Sequence, residues 1–322
     1  MVWWIFIAVV CVLLALDLGI FNRKAHIISQ KEATKWTTFW VILSLLFSGV
    51  LYWLFAHQHI DNPMNYTPRT AFSKYIQGYL LELSLSVDNI FVIAVIFRSF
   101  SIPQKYQHRV LFWGIIGAIV FRAIMIFFGI WLINKIDWIT YIFGAFLVYT
   151  AYNMAFSGEE SDFNPKESRV FKWTRKIMPI TKSIHGQKLF VKKMGIWAAT
   201  PLFLALIIIE FTDILFALDS IPAILAITED PFIVFSSNIM AILGLRSMYF
   251  FLANIIDKFS YLKFSLAVIL VYVGIKMILH HYLKANELEI PEWLSLGIIV
   301  VSLGTGILYS LYKSKQEEIV KK

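Results

Sequence analysis

Residues 82–90 read Glu82-Leu-Ser-Leu-Ser-Val-Asp88-Asn89-Ile90, and residues 213–221 read Asp213-Ile-Leu-Phe-Ala-Leu-Asp219-Ser220-Ile221. In each stretch an acid is followed six positions later by Asp, then by a small amide or hydroxyl, then by Ile. The match continues downstream. Arg122 corresponds to Arg246, and Phe146-Leu147-Val148-Tyr149 to Ile269-Leu270-Val271-Tyr272. Apolar sequences align easily by chance, so the polar positions carry the comparison. Two acids and an Arg, in order and inside apolar stretches, indicate an internal repeat.

Both copies sit in a chain that is 59% hydrophobic and 16% charged. Soluble domains are about half apolar and about a quarter charged. Crossing the hydrocarbon core takes roughly 20 apolar residues. Nine runs qualify, near 3–20, 36–56, 74–97, 109–133, 138–156, 198–227, 231–255, 261–282 and 292–312. They must be helical, because lipid offers no partner to an open sheet edge. Trp and Tyr collect near their ends (Trp3, Trp4, Trp36, Tyr52, Trp53, Trp138, Trp293), where amphipathic rings prefer to lie. The first run lacks a basic leader and a small-residue cleavage site, and reads as a retained span. The expected fold is an all-α polytopic membrane protein of about nine transmembrane helices. Each repeat copy holds three spans, an odd number, so the second copy must be inverted relative to the first.

The expected organisation is two N-terminal spans (1–70), a first three-helix repeat (71–156), a loop (157–195), a second, inverted repeat (196–283), and a last span with a tail (284–322). Of the 29 Lys and Arg residues, 22 fall in alternate connections: residues 21–35, 98–109, 157–195, the turn after the seventh run, and the tail. The opposite set holds four: Arg69, Lys74, Lys135 and Lys284. The positive-inside rule puts the richer set in the cytoplasm, with the N-terminus outside and the C-terminus inside. The net charge of +8 is therefore topological. It forms no contiguous basic face, and nucleic acid is excluded as a partner. In the long loop, the spacing of Val170, Trp173 and Ile177 predicts a short amphipathic helix with one apolar face, suited to the anionic inner leaflet.

Five carboxylates lie well inside the spans: Glu82, Asp88, Glu210, Asp213 and Asp219. Asp17 lies nearer the end of its own span. Each ionised carboxylate at mid-membrane opposes insertion by about 2.5–3.5 kcal/mol before pairing. Such residues normally face a cavity or the bundle interior. Arg122, Arg246 and Lys276 are the supporting cations within spans, and three cations leave at least two negative charges unmatched. A dication or protons would neutralise them. Glu82 and Asn89, seven apart, share a helix face, as do Asp213 and Ser220, while Glu210 neighbours Asp213. Asp88 and Asp219 point roughly 120° away from their repeat-mates on an ideal helix. Gathering all of them predicts bent or unwound helices, with Pro222 as a breaker. The candidate ligands are hard oxygens from Glu82, Asp88, Asn89, Glu210, Asp213, Asp219 and Ser220, with Thr212 beside them. Oxygen sites suit Mn²⁺, Ca²⁺ or Mg²⁺. The single thiol, Cys11, makes no soft-metal cluster. His57, His59, His280 and His281 fall at the outer surface, away from the acids.

The segments YLLELSLSVDNIFV, GAIVFRAIMIFFG, ATPLFLALIIIEFTDILFALDSIPAI and NIMAILGLRSMYFFLA resemble the TerC family of membrane proteins, especially its Alx-type branch. That resemblance implies Mn²⁺ export across a bacterial inner membrane, with the five acids as ion-handling groups beside Asn89 and Ser220. The expected activity is alternating access at a midplane carboxylate site, exchanging Mn²⁺ (or Ca²⁺ or Mg²⁺) for protons. The ion is cargo, and no prosthetic group is expected. A rival reading is a membrane assembly or metalation factor, or a scaffold, without transport of its own; transport by the purified protein discriminates the two. An enzyme is not expected, since neither H-E-x-x-H nor G-x-S-x-G occurs. The sequence names no protein partner.

Overall fold

The computed structural model describes all residues except 20–27, 137, 157–164, 182, 194, 254–260, 287–289 and 321–322. Arg23, Lys24, Lys258 and the acidic start of the long loop lie outside the described residues, as do the side chains of Asp17, His280, His281 and Lys284. The elements in order are α1 (Val2–Gly19), α2 (Gln30–Ala56), α3 (Pro68–Ser99), α4 (Gln104–Lys135), α5 (Ile139–Phe156), α6 (Arg169–Ile177), β1 (Phe190–Lys193), β2 (Ile196–Ala199), α7 (Pro201–Leu225), α8 (Pro231–Leu252), α9 (Leu262–Ala285) and α10 (Glu292–Val320). Among the described residues, eight helices are long and apolar enough to cross a membrane, and α1 adds a shorter apolar stretch, Val2–Leu16. The chain is an all-α polytopic membrane protein.

Helix starts follow from local chemistry. Pro68, Pro201 and Pro231 each open a helix at a position where a backbone N–H has no partner to lose. Asp230 caps α8 by accepting from the N–H groups of Phe232 and Ile233 at 3.0 and 2.9 Å.

The triplets α3–α4–α5 and α7–α8–α9 pack as matched copies. α3 lies on α8 as α7 lies on α4, while α5 meets α9 and α3 meets α7 directly. Directions follow from side-chain contacts. Lys74 Nζ donates to Ile227 O at 2.7 Å, and Gly78 lies against Ile224. As α3 advances from 74 to 78, its contacts move back from Ile227, just past α7, to Ile224 within it, so the two run antiparallel. Gly144 faces Gly274 and Ile278, while Gly274 faces Leu147 and Val148, so α5 and α9 are also antiparallel. The homologous pairs α3 and α7, and α5 and α9, thus point in opposite directions, as inversion requires.

The other helices break the symmetry. α2 covers α8, and 94% of the apolar window of α8 is buried, making it the central helix. α10 lies against α9 and α3.

Two expectations need correction. First, α3 and α7 run unbroken through both motifs. Pro222 lies inside α7 near its C-terminal end and has no N–H to bond back along the helix, yet α7 continues to Leu225 and Ala226 N bonds Pro222 O at 3.0 Å. Second, the short helix expected in the long loop forms as α6, but its three apolar residues are not equally exposed. α6 buries Val170, Phe171 and Thr174 toward the bundle, whereas Trp173 and Ile177 are exposed. Val170 is therefore split from the other two, because the docking face is set by Phe171 against Phe100. The β1–β2 hairpin then leads through Thr200 into α7, with Thr200 Oγ1 donating to Lys188 O at 2.8 Å.

Candidate functional site

Antiparallel α3 and α7 bring their motifs together from opposite ends. Glu82 on α3 and Asp213 on α7, the equivalent acids of the two copies, meet at one guanidinium, that of Arg122 from α4. Arg122 Nη1 donates to Glu82 Oε1, and Nη2 donates to Asp213 Oδ1 at 3.2 Å. Nη1 also reaches Ser220 Oγ at 3.4 Å and Asn238 Oδ1 at 3.3 Å. Four helices thus converge on one cation. The Arg122 and Glu82 side chains are 2% and 1% exposed, and that of Asp213 is 12% exposed, so solvent does little to screen the charges. Two carboxylates against one guanidinium leave one formal negative charge when both are ionised. Glu82 Oε2, Asp213 Oδ2 and Arg122 Nε are buried without a hydrogen-bond partner. Native structures rarely leave such atoms unmatched, and each one asks for an explanation.

Two cavities flank this cluster. The larger, about 50 Å³, is lined by Asp88, Asn89, Arg122, Thr150, Asp219 and Ser220 among others. Thr150 Oγ1 donates to Asp219 Oδ1 at 3.0 Å. The smaller, about 20 Å³, is lined by Asn89, Thr212, Asp213 and Phe216 between apolar walls. Asn89 and Phe216 line both. Thr212 turns its hydroxyl to Ile208 O at 2.7 Å.

The predicted residues therefore gather in part. Glu82, Asp213, Ser220 and Arg122 form the cluster, and Asp88, Asn89 and Asp219 line the adjoining cavity. Glu210 lies outside the Arg122 contacts, one turn before Asp213 on α7, with its carboxylate against Gly117 of α4; a Cβ at that glycine would collide with it. Among the described residues, no three His, Cys, Asp or Glu side chains converge to hold a metal. Arg246 is buried on α8. Lys276 belongs to another place: its Nζ lies 3.5 Å from Ser295 Oγ on α10.

Three features escaped sequence reasoning. Asn238 sits in a fully buried Ser236-Ser237-Asn238 run, a signal available in the sequence of α8. Thr150 has no polar counterpart at Val273, so the repeat did not single it out. Lys74, assigned to the outer loops, is buried and pairs with Glu292 at 2.9 Å, with Gln77 Nε2 donating to the same carboxylate at 2.9 Å. An acid heading an apolar span was the available clue.

His57 and His59 are exposed at the end of α2, their rings stacked 6.0 Å apart beside Trp53 and remote from the acids.

Comparison with known proteins agrees with this architecture. The family model described as "Integral membrane protein TerC family" matches residues 67–318. The chain is 47% identical over 313 residues to a membrane protein of Myxococcus xanthus, covering 97% of this chain and 92% of that one. It is 45% identical over 304 residues to the Escherichia coli K12 protein named "Putative membrane-bound redox modulator Alx", covering 93% of this chain and 90% of that one. It is 42% identical over 313 residues to a membrane protein of Rickettsia bellii, covering 97% and 98%. No solved structure matches the chain. On the family match and on identity across nearly its whole length, the chain belongs to the TerC family of integral membrane proteins.

Proposed function

We propose that the protein exports a divalent cation, Mn²⁺ in the first instance, from the bacterial cytoplasm across the inner membrane by alternating access. The supporting observation is the meeting of equivalent acids, Glu82 and Asp213, from two antiparallel copies, beside a cavity lined by Asp88, Asn89, Asp219 and Ser220. Transporters of inverted-repeat design place their sites at such repeat interfaces. Carboxylate, amide and hydroxyl oxygens are the donor set of a hard dication. In this reading the protein performs no chemical conversion. Protons are the exchanged ion, because a carboxylate must be free of its proton to take a metal. The basic end of the bundle, carrying α6 and the hairpin, faces the cytoplasm.

The redox label carried by the Escherichia coli relative does not transfer as dithiol chemistry, since Cys11 is the only cysteine of this chain. A role in metal supply is compatible with that label and with the donor set.

The test is a pair of isosteric variants, Asp88→Asn and Asp219→Asn, in a host made sensitive to excess Mn²⁺. Each variant should reach the membrane at the wild-type level and lose protection. Wild-type protection by both would contradict the reading.

A further inference from the structure

The Arg122 guanidinium bridges Glu82 and Asp213, acids that the two repeat copies contribute from equivalent positions. We propose that Arg122 is a built-in competitor for the cargo: in the ion-free protein its guanidinium fills the place between Glu82 and Asp213 that the dication takes during transport. The inference rests on the proposed function and deepens it.

Charge sets the two occupants against each other. Glu82 and Asp213 together carry two negative charges. A dication alone neutralises them. Against these two acids, a dication and the guanidinium together leave one positive charge in excess, beside a like charge that solvent screens little. Arginine cannot escape by losing its proton, because its pKa lies far above any working pH. Movement is its only way to yield.

The geometry is that of a place partly filled. A guanidinium fork can grip a carboxylate with two parallel bonds. Here it divides itself, one nitrogen to each acid, and leaves Glu82 Oε2, Asp213 Oδ2 and its own Nε unpartnered in the interior. Those two spare carboxylate oxygens, one from each copy, are ready donors for an ion. A purely structural tie would be expected to satisfy them.

Space exists on both sides. Arg122 already lines the 50 Å³ cavity, and Asp213 lines the 20 Å³ one. Asn89 and Phe216 belong to both walls, and the ion cluster touches each cavity from one side. An arriving ion has room for itself and a water. The guanidinium has the 50 Å³ cavity to move toward, and its return expels the ion.

The experiment is Mn²⁺ titration of purified full-length protein, reading free Mn²⁺ by its paramagnetic resonance at alkaline pH, where protons compete least. If the guanidinium holds the site nine-tenths of the time, apparent affinity is reduced about tenfold, and Arg122→Gln should restore it. Arg122→Lys keeps the charge but spans both acids poorly, so it should fall between the two. In Arg122→Ala, added guanidinium chloride should weaken Mn²⁺ binding; the same addition should leave the wild type unchanged relative to a sodium chloride control. Folding of each variant is checked by gel filtration and circular dichroism. Should Arg122→Gln fail to fold, the Arg122→Lys titration decides. A folded variant that binds Mn²⁺ as weakly as the wild type, or more weakly, overturns the inference and leaves the exporter reading standing. A wild-type protein that binds no dication at all overturns the exporter reading itself.

Discussion

At the scale of single residues, the balance of charge around Arg122 sets the order of sensitivities. Replacing Arg122 by Leu strands Glu82 and Asp213 together in the interior. Removing one side of a buried ion pair typically costs about 3–5 kcal/mol. Glu82→Gln leaves Arg122 paired with Asp213, a neutral couple, and should cost closer to about 1.5–3 kcal/mol, the scale of one lost charged hydrogen bond. Thermal unfolding in detergent should therefore rank Arg122→Leu well below Glu82→Gln. The reverse order would mean that Asp213 contributes little to holding the guanidinium. Counting charges in the sequence showed that acids outnumber cations in the spans. It did not show which cation meets which acid, because that depends on where α4 enters the bundle. Lys276 illustrates the limit: it looked like a third countercharge for the acids, yet α10 supplies its neighbour Ser295.

At the scale of elements, close approach and capping decide. A Cβ on Gly144 would lie 2.7 Å from the carbonyl oxygen of Gly274 and 2.6 Å from a carbon of Ile278. The oxygen is backbone and cannot swing away, so Gly144→Val must separate α5 from α9. Overpacking of this kind costs about 1–3 kcal/mol. Gly49 in α2 has no atom near its missing Cβ. Gly49→Ala should instead stabilise by about 0.5–1 kcal/mol through backbone entropy. Paired melting curves check both signs. Asp230→Ala removes the cap of α8 and should cost about 1 kcal/mol, while Asp230→Asn, which still accepts, should keep most of it.

The elements were also the most legible part of the sequence. Apolar length alone places a spanning helix, because a membrane leaves the backbone no alternative. The position of Pro222 was read too strongly. A proline removes one backbone bond, and near the C-terminal end of α7 the helix continues to Leu225 despite that loss. The α6 face was misjudged for a related reason. Periodicity groups Val170 with Trp173 and Ile177, but docking is decided by tertiary neighbours, here Phe100 against Phe171.

At the scale of the whole molecule, two antiparallel triplets share a central ion cluster and are bound by helices outside the repeat. α2 sheathes α8 on one side. On the other, α10 ties to α3 through Lys74 and Glu292. Such a frame suits a machine in which one triplet rocks against the other while the site stays at the interface. Because dication and protons compete for the same carboxylates, Mn²⁺ affinity should rise with pH and level off once the acids are free of protons. A binding curve independent of pH would remove protons from the cycle.

The central claim is tested most directly by reconstituting the purified protein into sealed liposomes and following Mn²⁺ entry with a trapped fluorescent indicator, alongside Ca²⁺ and Mg²⁺. The account predicts saturable Mn²⁺ entry that is driven by an opposing proton gradient and lost in Asp88→Asn and Asp219→Asn. Liposomes containing correctly folded wild-type protein that take up no more of any dication than protein-free liposomes would contradict it.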